Sequence, residues 1–276
     1  PVHPADPREG PPCRRWRVLR DPPGPAAWNM AVDEALARGL TPDEGTLRIY
    51  RWSKPSLSFG RNQSARERYD PAAVRALGAE VVRRPTGGRE VLHDRELTYS
   101  VAMSLSALGG LRESYRRLNE ALLNALHSLA VPASPATRPG RTPLPDAGAC
   151  FGEAAEGEIE LGGRKLVGSA QARIGGSLLQ HGSILLAPPS LGLESFMAGG
   201  MGRGSDPEQR ETPHGISLLE ALHEPLPFDR VAAAVEAAMA GALGGRWERD
   251  GMTEVERGLA ADLLPHYESP SWTWRT

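Results

Sequence analysis

The spacing of apolar and polar residues predicts helices alternating with short strands along most of the chain. Apolar residues that recur every three or four positions indicate helices, and alternation or short apolar runs indicate strands. The predicted helices cover about 25–38, 70–77, 112–130, 216–222, 228–242 and 253–263. The predicted strands cover 16–19, 47–52, 56–59, 80–84, 90–92, 97–103, 158–161, 164–173 and 177–186.

Glycine pairs at 162–163 and 175–176 separate the last three strands. Such pairs between alternating runs are typical of β-hairpins, which make neighbouring strands antiparallel. The interleaved helices must then pack outside the sheet. We therefore expect an α+β fold with a mixed, largely antiparallel sheet flanked by helices. We divide the chain into a flexible tail at 1–14, a main domain at 15–248 and a short helical extension at 249–276.

Composition narrows the classes of protein that this chain can represent. Of its 276 residues, 40% are apolar, which is enough for a large core, and the formal net charge is −2. This near-neutral net charge implies no strongly basic face, so no nucleic-acid partner is expected. No apolar run reaches the roughly 20 residues of a membrane span. We expect a cytoplasmic protein without a membrane partner.

Cys13 and Cys150 are the two cysteines of the chain, and they do not form a CxxC pair. No zinc signature follows from them, and we expect neither a metal nor a cofactor. Cys150 ends a Pro-rich stretch and is flanked by glycines, which is a poor place for a core residue. A thiol becomes a nucleophile when a nearby ammonium favours its thiolate. Lys165, fifteen residues later, could supply that ammonium, but the sequence does not show that the two groups touch.

Three further segments carry candidate chemistry. In 83–94, a Gly-Gly turn between arginines could present backbone N–H groups to an anion or a carbonyl, although an ordinary hairpin turn has the same sequence. In 163–171, Lys165, Ser169 and Gln171 share one strand face, which fits either a site or a half-exposed strand. In 180–183, His181 could be a base, a ligand of a carbonyl or a hydrogen-bonded sheet residue.

Together these segments resemble the lipoate/octanoate branch of the biotin/lipoate protein ligase superfamily. The resemblance spans about 28–186. It rests on the helix Asn-Met-Ala-Val-Asp-Glu-Ala-Leu at 29–36, on Trp52, Pro55 and Phe-Gly-Arg-Asn-Gln at 59–63, and on the segments 83–94, 163–171 and 180–183. It implies a ligase-like catalytic fold for 15–248. Glu90 and the run at 152–157 depart from the family pattern.

Two positions favour the octanoyltransferase branch over the ATP-using ligases, and the stretches 84–89 and 96–100 resemble the octanoyltransferase type that works as a monomer. ATP-using ligases of the family carry a third glycine where this chain has Arg89, and they lack a cysteine at the position of Cys150. The resemblance implies that an octanoyl group passes from octanoyl-acyl carrier protein to Cys150 as a thioester. It then passes to a lysine of the glycine cleavage H protein or a lipoyl domain. No ATP would be needed, because the thioester supplies the driving force.

The same resemblance assigns Cys150 and Lys165 as the catalytic pair. It assigns substrate binding to Arg84, Thr86, Gly87, Gly88, Arg89, His93, Gly168, Ser169, Ala170, Gln171, His181 and Gly182. We expect an apolar acyl slot over Gly168, Ala170 and Gly182. Three alternatives stay open: an ATP-dependent lipoate–protein ligase, a carrier-to-carrier amidotransferase and a non-catalytic binder of acyl groups or carrier domains.

Overall fold

The structure is a computed structural model that describes residues 13–136, 158–197 and 215–275. Its strands are β1 (Arg15–Arg20), β2 (Glu44–Tyr50), β3 (Ser56–Phe59), β4 (Glu80–Arg83), β5 (Val91–His93), β6 (Glu96–Ser104), β7 (Ser134–Pro135), β8 (Ile159–Leu161), β9 (Arg164–Ile174), β10 (Ser177–Leu185) and β11 (Arg246–Arg249). Its α-helices are α1 (Ala26–Arg38), α2 (Pro71–Ala76), α3 (Leu111–Ser128), α4 (Leu218–Leu222), α5 (Phe228–Leu243), α6 (Glu254–Glu268) and α7 (Pro270–Thr273). A 3-10 helix covers Leu193–Phe196.

Eight strands form a large mixed sheet in the order β11-β1-β2-β6-β10-β9-β8-β7. The pairs β11-β1 and β1-β2 are parallel, and every other pair of this sheet is antiparallel. The β9-β10 hairpin turns at Gly175, whose φ of 59° is the left-handed conformation that glycine adopts without strain. A mixed, largely antiparallel sheet was predicted, and the structure contains one.

The two faces of the large sheet differ in polarity. Alternate residues of β6, such as Leu97, Val101 and Met103, join the main apolar core with residues of α3 and α5. The intervening Thr98 and Ser100 are also buried, but they lie on the opposite face, because side chains alternate along a strand. That polar face borders the candidate site.

Helix α1 lies between the polar face of the large sheet and α6. Its residues from Asn29 to Ala37 are all buried. Asp33 and Glu34 are charged, yet the structure buries both carboxylates, because α1 is covered on both sides by other elements. Next to it, β4, β3 and β5 form a second, three-stranded sheet.

The end of the chain contains structure that the apolar pattern did not predict. Strand β11 extends the sheet beside β1, and its Trp247 stacks on Trp16 at 4.8 Å between ring centroids. Helix α6 continues to Glu268, past the predicted end at 263, although it contains Pro265. Thr253 starts this helix with a capping box to Glu256.

Several predictions fall outside the described residues. These are the first twelve residues of the tail predicted at 1–14, the stretch 137–157 with Cys150 and the departing run at 152–157, and 198–214. Within 13–136, 158–197 and 215–275, none of the helices combines the length and the apolar character needed to cross a membrane.

Candidate functional site

A row of four residues crosses the polar face of the large sheet, one from each of four neighbouring strands. Tyr50 of β2 pairs with Thr98 of β6, Thr98 pairs with Ser183 of β10, and Ser183 pairs with Gly168 of β9. Residues directly opposite each other in a sheet point to the same face. This row therefore forms a continuous strip perpendicular to the strands.

The strip is one wall of a cavity of about 320 Å³. The cavity is bordered by α1 and by the small sheet, and it reaches around the outer edge of β9. In the described part of the chain no strand pairs with β9 beyond Val167 on that edge. The predicted binding residues line this cavity, with Thr86 the exception: Arg84, Gly87, Gly88, Arg89, His93, Gly168, Ser169, Ala170, Gln171, His181 and Gly182.

Lys165 lines the same cavity at the start of β9, and it is only 3% exposed. Its Nζ donates a hydrogen bond to Oε1 of Glu158 at 2.7 Å, and Glu158 is also buried. A buried ammonium needs such a partner, because an isolated charge is costly away from water. Lys165 is therefore a positioned group of the cavity, and the alternative of a surface lysine on a half-exposed strand is wrong.

Further along β9, neighbouring side chains hold Ser169 and Gln171. The hydroxyls of Ser169 and Tyr99 are 2.7 Å apart, and the Gln171 and Gln180 side-chain amides approach to 2.7 Å. Burial raises the pKa of Tyr99 to about 12, so its hydroxyl stays protonated. The simple alternation predicted for this strand breaks at a register shift beside β8, and Leu166 and Val167 both enter the main core.

The Gly-Gly turn after β4 is organised by Arg84. Its Nη1 donates to the Ser58 carbonyl at 2.9 Å, and its Nη2 donates to the carbonyls of Gly87 at 3.2 Å and Arg89 at 2.8 Å. Because the Gly87–Gly88 peptide is trans, the N–H of Gly88 points away from the guanidinium. Gly88 has a φ of 93°, which favours glycine. The arginine thus shapes the turn, which the sequence could not distinguish from an ordinary hairpin with solvated arginines.

His181 belongs to a buried network centred on Asp33. Nδ1 of His181 lies 3.0 Å from Oδ2 of Asp33, and Nε2 lies 2.6 Å from the Thr86 hydroxyl. Arg48 and Tyr50 also donate to Asp33, at 2.8 and 2.9 Å. Thr86 thus lies behind His181 instead of on the cavity wall. Of the three roles considered for His181, the structure shows a hydrogen-bonded sheet residue whose ring borders the cavity.

The charges of this network follow from burial and from the partners. Burial lowers the pKa of His181, with Asp33 acting in the opposite direction. Burial alone would raise the pKa of Asp33, but the hydrogen bond from His181 and the charge of Arg48 hold it below its usual range. Burial and Asp33 raise the pKa of the Tyr50 hydroxyl well above its usual value. The site therefore contains an ionised Asp33 and a neutral His181.

His93 is held in the cavity wall by a second buried cluster. Its Nδ1 lies 2.7 Å from Oε1 of Glu96, and its Nε2 lies 2.6 Å from the Ser58 hydroxyl. The Trp52 ring stacks on the imidazole at 4.0 Å between centroids. The same Glu96 oxygen accepts hydrogen bonds from Thr98 and Ser183, both at 2.7 Å. Glu96 thus engages the hydroxyls of the strip.

Sequence reasoning missed several residues of the site. Three buried carboxylates lie beside groups that were predicted: Asp33 beside His181, Glu96 beside His93 and Glu158 beside Lys165. A signal for Asp33 was available, since a charged residue within a helix that is apolar on most sides must find a partner. Glu90, which departs from the family pattern, is buried and accepts hydrogen bonds from Tyr69 and Gln63.

Comparison with known families adds to this geometry. Residues 25–240 match the sequence model of the lipoyl protein ligase A/B catalytic domain. The chain belongs to this family. Octanoyltransferase LipM of Kyrpidia tusciae is 42% identical to it over 94% of this chain and 98% of that protein. Octanoyltransferase LipM of Symbiobacterium thermophilum is 39% identical, over the same shares.

Solved structures of the family share the fold. A lipoate-protein ligase A bound with ATP superposes with a TM-score of 0.77 and 26% identity, over 94% of this chain and 98% of that one. The bipartite lipoate protein ligase of Thermoplasma acidophilum, studied with its E2 lipoyl domain, gives 0.74 and 25%, over 94% and 96%. These comparisons confirm the predicted family, the fold class and an octanoyltransferase of lipoate biosynthesis.

Proposed function

We propose that the protein takes an octanoyl group from octanoyl-acyl carrier protein onto Cys150 and passes it to a lysine of a lipoyl-carrier protein. The acceptor is the glycine cleavage H protein or a lipoyl domain. The observation that carries the proposal is the buried Lys165–Glu158 pair, which borders a largely apolar cavity. Cys150 itself lies outside the described residues, and its role rests on the sequence and on the octanoyltransferase relatives.

In the first half-reaction the Cys150 thiolate attacks the carbonyl carbon of the donor thioester. The Lys165 ammonium stabilises this thiolate. The tetrahedral intermediate collapses, the bond to the phosphopantetheine sulfur breaks, and that sulfur leaves as a thiolate that takes up a proton. The products are the octanoyl thioester of Cys150 and the free carrier thiol.

In the second half-reaction the neutral amine of the acceptor lysine attacks the Cys150 thioester. The carbon–sulfur bond breaks, an amide forms and the Cys150 thiolate is restored, while the amine nitrogen releases one proton to solvent water. Each step develops an oxyanion. The Gly88 N–H, directed away from Arg84, and the backbone near Gly168 are the proposed donors. A well-aimed donor is worth about 3 kcal/mol.

The acyl chain lies in the cavity over Gly168 and Ala170. Gly182 was assigned to the same slot, but it pairs with Ser169, one position out of phase with the strip. A Cβ atom on Gly182 would come within 2.4 Å of the Gly168 carbonyl oxygen. Gly182 thus serves close packing between β9 and β10, while Gly168 and Ala170 give the acyl chain room.

An intact-mass experiment tests the Cys150 step. Mixed with octanoyl-acyl carrier protein, the enzyme should gain one octanoyl group, and Cys150→Ser should gain none. Cys13→Ser is the matched control: Cys13 is buried at 5% exposure against the Glu44 carbonyl, so this variant should still be acylated. A folded enzyme that gains no octanoyl group, or an adduct that survives in Cys150→Ser, would refute the mechanism.

Activity assays on the wild type and the cysteine variants distinguish the proposed function from the three alternative functions. Product formed from lipoate, ATP and H protein would identify an ATP-dependent ligase, against which Cys150 and Arg89 argue. Octanoylated H protein acting as a far better donor than octanoyl-acyl carrier protein would identify a carrier-to-carrier amidotransferase. Full biological activity of Cys150→Ala would identify a non-catalytic binder. The domain boundaries, the monomeric state and the cytoplasmic location stay predictions.

A further inference from the structure

The strip of the large sheet has dimensions that can be compared with an acyl chain. It runs from Gly168 of β9 through Ser183 and Thr98 to Tyr50 of β2. Neighbouring strands lie about 4.8 Å apart, so β9 and β6 are about 10 Å apart and β9 and β2 about 14 Å apart. Backbone hydrogen bonds fix these distances.

An octanoyl group extends over about two of these three spacings. With carbon–carbon bonds of about 1.5 Å, an extended alkyl chain advances roughly 1.25 Å per bond, which gives roughly 9 Å for eight carbons. The proposed function places the carbonyl beside β9, where Lys165 lies. An extended chain that follows the strip then ends over Thr98 of β6.

The hydroxyl groups of the strip are compatible with an apolar acyl chain lying over them. The Thr98 hydroxyl donates to Glu96 and accepts from the Trp52 indole at 2.9 Å, so its methyl group is the part without a polar partner. The Ser183 hydroxyl donates to Glu96 as well. Because these groups are already hydrogen-bonded, covering them with methylenes leaves no buried donor unpaired.

Three large side chains, Met30, Tyr50 and Trp52, line the cavity at the β2 end of the strip, and we take this end as the closed one. All three line the cavity and belong to one apolar cluster. Two of them are fixed by polar contacts: the Tyr50 hydroxyl donates to Asp33, and the Trp52 indole donates to Thr98. Met30, 1% exposed on α1, is held by packing alone and can be changed without breaking the polar networks.

We propose that Met30, supported by Tyr50 and Trp52, sets the upper limit of acyl-chain length. This inference rests on the proposed function. The chain lies across the strands of the large sheet, and its terminal methyl group meets Met30. A chain with two more carbons needs roughly 2.5 Å more at the closed end, given the carbon–carbon bond length. Met30 occupies that space.

Competition between acyl donors tests the limit. The full-length enzyme is mixed with equal amounts of hexanoyl-, octanoyl-, decanoyl- and dodecanoyl-acyl carrier protein and with an H protein acceptor, and the products are measured by intact mass. Met30→Ala should raise the decanoyl-to-octanoyl product ratio at least tenfold, since one methylene in an apolar pocket is worth roughly 10-fold or more. Met30→Phe should lower the octanoyl-to-hexanoyl ratio.

The matched control is Met239→Ala, which makes the same deletion at a residue of α5 that is buried in the main core. Its product ratios should equal those of the wild type. If the wild type transfers no acyl group from any carrier, the proposed function fails. If it transfers octanoyl groups and neither Met30 variant shifts the ratios, only the chain-length inference fails. If Met30→Ala does not fold, as judged by circular dichroism, Met30→Phe decides.

Discussion

Asp33 is the residue on which the polar side of the site depends. This fully buried carboxylate accepts hydrogen bonds from Arg48, Tyr50, Ser100 and His181. Because Asp33 is ionised and has no proton to give, Nδ1 of His181 must be the donor. Nε2 of the neutral ring then accepts from Thr86. One carboxylate thus fixes the tautomer of a histidine that borders the cavity.

The buried, neutral His181 predicts how stability depends on pH. Its folded-state pKa is lowered, so the unfolded chain, with a histidine pKa of about 6.5, binds the proton first as the pH falls. The free energy of unfolding should therefore decrease as the pH drops below about 6.5, until the pH reaches the folded-state pKa. The groups acting on the ring are Asp33, which opposes the shift, and Arg84 and His93, which add to it.

Urea unfolding from pH 7.5 to 5 measures this dependence. His181→Asn should be less stable than the wild type at every pH, because it loses two buried hydrogen bonds, but it should show a weaker fall in stability on acidification. His223→Asn changes an exposed histidine with a φ of 58°, which asparagine tolerates, and it should keep the wild-type slope. Equal slopes in the wild type and His181→Asn would contradict the prediction.

Among the elements, the turn after β4 depends on its contact with the end of β3. A Cβ atom on Gly60 would lie 1.8 Å from the Gly88 carbonyl oxygen, and its three nearest neighbours are backbone atoms of Gly87 and Gly88, which cannot rotate away. The Gly88 peptide can therefore keep its place only while residue 60 has no side chain. This close approach explains why residue 60 is a glycine, which the hydrogen bonds of Arg84 alone would not require.

Gly60→Ala should consequently displace the Gly-Gly turn. We expect octanoyl transfer to fall at least tenfold and the free energy of unfolding to fall by about 1–3 kcal/mol, the usual cost of overpacking. Steady-state transfer assays and urea unfolding measure both effects. The control is Gly241→Ala in α5, where an added Cβ meets no atom within 4 Å. It should keep full activity and gain up to about 1 kcal/mol, because alanine favours helix. Unchanged transfer in Gly60→Ala would show that the turn is not needed in this position.

For the molecule as a whole, Arg83 connects the end of the chain to the site. Its buried guanidinium donates to the carbonyls of Gly60 and Gln63, both at 2.7 Å, and to those of Thr273 at 3.0 Å and Arg275 at 2.9 Å. Burial, together with Arg275 and Arg84, lowers the pKa of Arg83 to about 10. The last turn of the chain therefore contributes to the framework that holds the substrate turn.

A chain that ends at Ser269 tests this connection. It lacks the Thr273 and Arg275 carbonyls, and each buried donor left without a partner costs about 1–3 kcal/mol. We expect a loss of at least 3 kcal/mol in the free energy of unfolding, together with weaker octanoyl transfer at the temperature where the wild type is half unfolded. A chain that ends at Arg275 keeps these acceptors and should match the wild type. If the shorter chain is equally stable, the C-terminal segment is a separable extension.

The sequence predicts the elements of this fold better than the contacts between them. Strands β6, β9 and β10 follow from alternation, hairpin glycines and the family motifs, and the motif residues do converge on one cavity. Strand β11 is short and has no alternation of its own, so only its pairing with β1 defines it. The contacts of Asp33, Glu96 and Glu158 could not be assigned in the same way, although the sequence does signal that Asp33 needs a partner. Their roles depend on which strand or helix lies next to them, which a single sequence does not encode locally.

The strip between Gly168 and Tyr50 also limits how the enzyme can change the length of the acyl chain that it accepts. Its length is a multiple of the strand spacing, which is about 4.8 Å. About four methylene groups of an extended alkyl chain cover one such spacing. Substitutions within β6, β9 or β10 cannot stretch it, because the spacing belongs to the backbone. New chain-length preferences, whether evolved or engineered, must therefore come from the side chains at the closed end, where Met30 of α1 can change without breaking the polar networks.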